Sequence, residues 1–346
     1  AARAVAVPGA GNGGTERRVA DEELVRLLAE QFPEWARLKL RRLEPGGSDH
    51  VIHRLGDTMA VRLPRGDWAA GQARKEARWL PHIAASLPLA TPVPLALGMP
   101  SSGCPWHWSV TRWLEGATPT AEGIAAGPPG GQAPGGAAEA PRMAGEPTHE
   151  AGGITDRRGA ALELARYLRA LHRLPAADRL IPGPHPDLVS APLAARDGAT
   201  RAAIAAVGDS FGDVFGADAM TEVWESALAA PPWERDHEPV WCHGDLHTGN
   251  LLAAGGRLTA VIDFGGLCVG DPAADLVIAF TFMSSGSRAV FRAELGLDED
   301  TWRRGRGWAL ATGLNAYVHY AATEPRVARQ TRRQITEALA ESAAAG

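Results

Sequence analysis

Cysteine is scarce in this chain of 346 residues: Cys104, Cys242 and Cys268 are its only three, an odd number without the paired spacing of a metal site. That excludes a disulfide-stapled small scaffold and a zinc-ribbon pattern, and predicts reduced thiols. Long apolar runs are missing as well, and no stretch reaches the roughly 20 residues that a membrane-spanning helix requires. Residues Ala1 to Arg18 are small, rich in glycine and end in arginines, without the apolar centre of a secretory signal. Residues 1–20 are therefore expected to be a disordered leader. Positive charge is not in excess: 35 Lys+Arg stand against 40 Asp+Glu, a formal net charge of -5, which argues against a nucleic-acid or anionic-membrane surface. These absences point to a cytoplasmic protein with neither nucleic acid nor membrane as partner. Nothing in the sequence sets an oligomeric state.

What is present is length enough for a sizeable core and clear periodicity. Apolar residues at Leu24, Leu27, Leu28 and Phe32 predict a helix from Asp21 to Glu34 with Asp21 as N-cap. Short runs at 40–43, 51–55 and 59–63 are split by Gly46-Gly47-Ser48-Asp49 and Gly56-Asp57, and Pro64 closes the third. They predict a meander of antiparallel strands. A helix over 68–84 and strands over 92–97 and 106–113 complete a unit spanning 21–114. Residues 115–155 differ in kind, with Gly127-Pro128-Pro129-Gly130-Gly131 and Pro134-Gly135-Gly136 and hardly a large apolar side chain. Such a segment cannot bury enough surface to repay the entropy of ordering, so a hinge followed by a disordered insertion over about 120–153 is expected. From 156 to 346 the pattern is helical. Asp156 opens a helix with Leu164, Leu168 and Leu171 on one stripe, and further helices are expected over 192–207, 217–229, 275–283, 287–295, 298–322 and 324–343.

One block among these helices carries chemistry. His243-Gly244-Asp245-Leu246-His247-Thr248-Gly249-Asn250 is followed by Ile262-Asp263-Phe264-Gly265. A carboxylate, a carboxamide and a second carboxylate thus stand at separations used to move the terminal phosphoryl group of a nucleotide. That reaction asks for divalent cations held by oxygen ligands and for a base beside the attacking hydroxyl. Asp245 suits the base; Asn250 and Asp263 suit Mg2+. The run Pro239 to Cys242 reads as a strand delivering the loop, and Leu251 to Ala253 and Leu258 to Ile262 as strands around a Gly255-Gly256 turn, which puts both acidic residues at the ends of neighbouring strands. His-Gly-Asp or Asp-Phe-Gly alone would be an ordinary turn; their joint occurrence is the signal. A rival reading takes His243-x-Asp245-x-His247 as the metal cluster of a hydrolase, but no further histidine cluster accompanies it. His243 reads as a loop brace. Asp271-Pro272 reads as a helix start, and Asp275 as a brace accepting backbone hydrogen bonds from the catalytic loop.

This block resembles the catalytic and metal-binding loops of the aminoglycoside phosphotransferase family, which shares its fold with protein kinases and choline kinases. The resemblance runs from about Leu40 to Ala322, apart from the insertion, where that family has a shorter passage. It implies an α+β, bilobal protein-kinase-like fold, with a small antiparallel-sheet lobe (21–114) and a larger, mainly helical lobe (156–346) for catalysis and substrate binding. It implies ATP as donor, with GTP as the alternative, and a hydroxyl of a small molecule as acceptor. An aminoglycoside or other antibiotic is the first reading of that acceptor and a choline- or homoserine-like metabolite the second; a kinase-like binding module without catalysis stands further off. The loop with Gly47, Ser48 and Asp49 would cover the nucleotide's phosphates. Arg62, within Val61-Arg62-Leu63-Pro64-Arg65, stands where protein kinases carry their phosphate-pairing lysine, and arginine's planar fork suits two phosphate oxygens. Glu76 on the next helix would be its ion-pair partner. Thr111 to Gly116 resembles the hinge whose backbone, at Arg112 and Leu114, would hold the base, between Val61 and Ile262. Trp302, Arg303, Arg306, Trp308, Asn315 and Tyr320 are candidate acceptor-pocket residues, and Asp298, Glu299 and Asp300 could meet an amino sugar unless they merely start a helix.

Overall fold

The computed structural model describes residues 19–43, 47–119, 121, 153–175, 188, 190–208, 210–211, 215–233 and 237–345. Residues 1–18 of the expected leader over 1–20, Gly46 of the expected phosphate loop and the glycine-rich segment 122–152 lie outside these residues. The first helix, α1, spans Asp21–Gln31 and buries Leu24, Leu27 and Leu28. Asp21 is not its N-cap: Ala20 holds that position, and the Asp21 carboxylate instead meets His53 Nε2 at 2.9 Å, tying α1 to the sheet beneath. Five strands follow: β1 Leu40–Arg42, β2 His50–Leu55, β3 Met59–Pro64, β4 Pro94–Gly98 and β5 Trp108–Arg112. They form one antiparallel sheet in the order β1-β2-β3-β5-β4. Val51, Leu55, Val61, Leu63, Trp108 and Val110 close the core against α1. Each such side chain taken out of water contributes about 1.5–3 kcal/mol, which is why the alternating runs settle with one face inward.

Helix α2, Gln72–Ile83, lies between β3 and β4 and joins this unit to the rest. Its Trp79, Leu80 and Ile83 belong to the same core cluster as Leu164, Leu168 and Leu171 of α3 (Arg157–His172), and the Trp79 and Trp241 rings meet at 5.4 Å. The Asp156 side chain accepts from Gly159 N at 2.8 Å and starts α3, as its position in the sequence predicts. Chain hydrogen bonds also cross between the halves, Ala90 N to Thr259 O (3.1 Å), Val261 N to Ala90 O (3.0 Å), and Ala117 with Ala253 in both directions.

The second half is helical. After α3 come α4 Asp197–Val207, α5 Ala217–Ala229, α6 Val277–Thr281, α7 Ser285–Leu295, α8 Glu299–Tyr320 and α9 Pro325–Ala345. Set among them are β6 Val240–Cys242, β7 Leu251–Ala254, β8 Arg257–Val261 and β9 Cys268–Gly270. β7 pairs with β8, whereas β6 pairs with β9, so Asp245 and Asp263 do not follow neighbouring strands. The short β9 was not legible as a strand; it forms because the chain after Asp263 returns alongside β6, placing Cys268 opposite Cys242. All three cysteines carry free thiols. No helix among the described residues is long and apolar enough to cross a membrane.

Candidate active site

The loop after β6 is held by its own backbone. Asp275, fully buried, accepts from His243 N at 2.9 Å and from Gly244 N at 2.8 Å. His243, also buried, uses both ring nitrogens: Nε2 lies 3.1 Å from Ile262 O and Nδ1 accepts from Asp245 N at 3.3 Å. Those partners assign a neutral ring with its proton on Nε2, and burial indeed pushes its pKa down. Gly244 has φ 77°, and a Cβ there would fall 2.1 Å from Gly266 O. Glycine is required because the catalytic loop and the loop after Asp263 touch backbone to backbone. With both nitrogens of His243 committed, the His243-x-Asp245-x-His247 triplet is not arranged as a metal cluster, and no group of three or more His, Cys, Asp or Glu suited to a metal occurs among the described residues.

Asp245 projects from this braced loop. Asn250 Nδ2 donates to Asp245 O at 2.8 Å and approaches Asp245 Oδ2 at 3.4 Å, while Asn250 Oδ1 is buried without a hydrogen-bond partner among the described residues. Burial, then the charges of Asp263 and Asp49, push the Asp245 carboxyl well above the usual carboxylate range; Asn250 and Arg196 oppose this. Asp263 behaves oppositely. Burial by itself would raise it, but the Arg62 guanidinium, then His50, His243 and His247, hold it below the usual value. It is the one non-glycine with positive φ among the described residues (φ 64°, ψ 72°), a left-handed conformation that costs an ordinary side chain about 1 kcal/mol or more. Two acids of one type are thus pushed apart in acidity by their surroundings.

The residues expected to hold the nucleotide assemble on the sheet. Arg62 of β3 pairs with Glu76 Oε2 at 2.5 Å and with Asp263 Oδ1 at 3.0 Å, and its Nη2 reaches His50 Nδ1 at 3.5 Å. Burial works against the charge of Arg62, but Glu76 and Asp263 outweigh it and hold the group firmly protonated. Burial raises Glu76, against the pull of Arg62. His50 is forced neutral, its pKa pushed down to about 3 by burial and then by Arg62. Lys75 Nζ donates to Gly265 O at 2.6 Å, anchoring α2 on the Asp263 loop. In the loop before β2, Gly47 O accepts from Arg65 Nε at 2.8 Å, and Asp49 Oδ2 from Gln72 Nε2 at 2.7 Å, with Ser48 between them. Asp49 is raised by burial first; Gln72 lowers it and Asp263 raises it. Arg112 ends β5 opposite Met59, and Leu114 follows shortly before the chain meets β7 at Ala117; Val61 is buried and Ile262 half-buried. His50, Gln72 and Lys75 escaped the sequence reading; no motif marks them, and only packing of α2 and β2 brings them in.

Residues 39–132 and 119–308 match the model of the phosphotransferase enzyme family. The chain belongs to this family. The GDP complex of wild-type aminoglycoside 2'-phosphotransferase-IIIa shares the fold with a TM-score of 0.64 at 18% identity, over 93% of this chain and 99% of that one. The streptomycin–ATP–APH(2")-IIa ternary complex gives 0.54 at 14% identity, over 92% and 99%. Macrolide 2'-phosphotransferase MphH from Brachybacterium faecium, as apoenzyme, gives 0.55 at 23% identity, over 91% and 98%. No curated protein matches the chain in sequence. The fold is therefore the bilobal, protein-kinase-like α+β arrangement, and the enzyme a phosphotransferase with an alcohol group as acceptor.

On the far side of Asp245 the phosphotransferase is less as the sequence suggests. Trp302 is core, packed on Phe280 and Phe291 with its indole N–H on Glu341. Arg303 pairs with Asp300 and buried Arg306 faces Glu299, while Asn315 and Tyr320 lie half-buried late on α8. Asp298 caps α8 through Thr301 N at 2.7 Å, and Glu299 pairs with Arg292. All three acids at the start of α8 are thus spent on the helix and its neighbours. Asp271 caps the turn at Ala273 and holds Arg304 with both oxygens (2.6 and 3.1 Å). Only Trp308 keeps an interest, with Arg196 lying over its ring.

Proposed function

We propose that this enzyme transfers the terminal phosphoryl group of ATP, or alternatively GTP, to a hydroxyl of a small molecule, with Asp245 as the base. The observation that carries the reading is the convergence of Asp245, Asn250 and Asp263, one carboxyl raised and the other depressed, beside a buried arginine. A base with raised pKa can accept the proton that leaves the acceptor hydroxyl. Asp245 is held for this by its backbone, whose N–H donates to His243 Nδ1 and whose carbonyl accepts from Asn250 Nδ2.

A hard divalent cation fits the residues present. Asn250 Oδ1 is a buried oxygen without a partner among the described residues, and Asp263 is an ionised carboxylate in a fixed, left-handed turn. Magnesium, when bound, would neutralise phosphate charge and draw the donor's oxygens toward those two side chains. Arg62, kept charged by Glu76, is a preorganised fork for phosphate oxygens once it turns from Asp263. Gly47, Ser48 and Asp49 would form the cover, and Arg112 with Leu114 would offer backbone groups to the base.

The acceptor is a small hydroxylated molecule. Solved structures of similar fold contain kanamycin, gentamicin or streptomycin, which makes an antibiotic one candidate class beside a metabolite. Because the donor is a nucleotide, the cytoplasm is the compartment in which we expect the enzyme to act. The test is kinetic. With Mg2+ and ATP, Asp245→Ala should lower kcat by about two to four orders of magnitude with little change in ATP affinity, whereas Asp263→Ala should chiefly weaken binding of the metal–nucleotide pair. A purified Asp245→Ala protein with unaltered turnover rejects the assignment.

A further inference from the structure

Near Asp245 stands one cation, Arg196, that makes no ion pair among the described residues. The chain over 190–196 runs along the end of β9 and onto α8: a Cβ on Gly270 would come within 2.6 Å of the Ser190 Cβ, and one on Gly307 within 3.1 Å of Leu193. At the end of this segment the guanidinium carbon of Arg196 lies 4.8 Å from the centre of the Trp308 ring. That guanidinium makes no hydrogen bond or ion pair with any described residue. It is half-buried; burial pushes its pKa down, and the nearby Asp245 carboxylate opposes that shift. The Trp308 indole N–H is enclosed beside it, also without an acceptor among the described residues.

The acids described around this segment and the start of α8 are already engaged. Asp197 is held by Arg201 and the Trp224 indole, Asp298 caps α8, and Glu299 and Asp300 are paired with Arg292 and Arg303. A polycationic acceptor would therefore meet a guanidinium that is unpaired among the described residues, whereas an oxyanion would find a planar fork stacked in place.

We propose that Arg196, backed by Trp308, is a specificity-determining residue that binds an oxyanion on the acceptor, so that the molecule phosphorylated is a hydroxylated acid rather than an amino sugar. This rests on the phosphotransfer reading, and concerns the acceptor half of that same site. Stacking on the indole fixes the guanidinium plane, so little side-chain freedom is lost when the anion docks. The anion's distance from Asp245 then selects which hydroxyl on the acceptor reaches the base.

The test uses one sugar ring in three charge states. D-glucuronate, D-glucose and D-glucosamine, with kanamycin as a polycation, are titrated into the full chain while the Arg196 Nε–H resonance is followed by NMR, assigned by its loss in R196Q. We expect D-glucuronate to move that resonance with a Kd below ~10 mM, glucose and glucosamine to leave it, and R196Q to weaken glucuronate binding, read at the Trp308 indole signal, by about tenfold or more. In turnover with MgATP, R196E should shift the ratio of kcat/KM for glucuronate over kanamycin by at least about tenfold toward kanamycin. The proposal is overturned if kanamycin or glucosamine moves the Arg196 signal at lower concentration than glucuronate. It is equally overturned if none of the four moves it, or if only MgATP does. Binding of MgATP to the unaltered protein is measured separately; its absence would count against phosphotransfer while leaving the anion titration readable.

Discussion

Replacing Asp275 by asparagine probes how the catalytic loop is held without touching substrate. The carboxylate is fully buried and accepts two backbone N–H groups, from His243 at 2.9 Å and Gly244 at 2.8 Å, with the His172 Nε2 atom 3.7 Å away. Asparagine can keep one of these bonds through its oxygen and must turn an N–H toward the other donor. Hydrogen bonds to a charged group contribute about 1.5–3 kcal/mol each, and an orphaned buried donor costs about 1–3 kcal/mol. The expected loss is about 2–3 kcal/mol for Asp275→Asn and about 3–5 kcal/mol for Asp275→Ala, which strands both donors. Activity should fall further than stability suggests, because His243 Nδ1 orients the Asp245 backbone, and a displacement of ~1 Å can cost about a hundredfold in rate. The assays are urea denaturation, compared through midpoint and slope, and kcat measured at a temperature where every variant is folded. An Asp275→Asn protein with wild-type midpoint and wild-type kcat would refute the bracing argument.

Gly244→Ala adds a methyl at φ 77° and 2.1 Å from Gly266 O, so it should destabilise by several kcal/mol or give insoluble protein; a variant of unchanged melting temperature would show that the two loops are not in contact. His50 should make stability fall with pH: its pKa of about 3 lies below the ordinary 6.5, so the unfolded chain takes up the proton first. Its contribution is complete above pH 6.5 and lost progressively as pH drops toward 3, at up to about 1.4 kcal/mol per pH unit. His50→Asn, which keeps an acceptor for Arg62, should flatten that slope in denaturation curves taken between pH 6.5 and 4.5. Asp49→Asn should tighten ATP binding several-fold at low salt, since it removes a negative charge near the phosphates yet keeps an acceptor for Gln72; a higher KM for ATP would make the carboxylate itself a ligand.

Some of this protein was readable from spacing alone. The block from His243 to Gly265, the alternating strands of the sheet and the leucine stripe of α3 are local patterns, and local patterns survive in a sequence because neighbours along the chain remain neighbours in space. Asp156 and Asp271 were legible as helix starts for the same reason: the donor each one satisfies lies two or three residues away. Asp21 misled because the competing partner, His53, is remote in the chain, and its pull left the cap to Ala20.

Packing settled the rest. That Arg62 would touch Glu76, Asp263 and His50 at once, that Cys242 would lie opposite Cys268 on an unforeseen strand, and that Arg196 would rest on Trp308 are contacts between segments up to 201 residues apart. The acidities of Asp245 and Asp263 belong here too. Both are aspartates following short apolar strands, and nothing in their local sequence separates them. Their charges diverge because one is buried among like charges and the other lies against a guanidinium, and burial and field are properties of the folded interior, absent until the chain has closed around them.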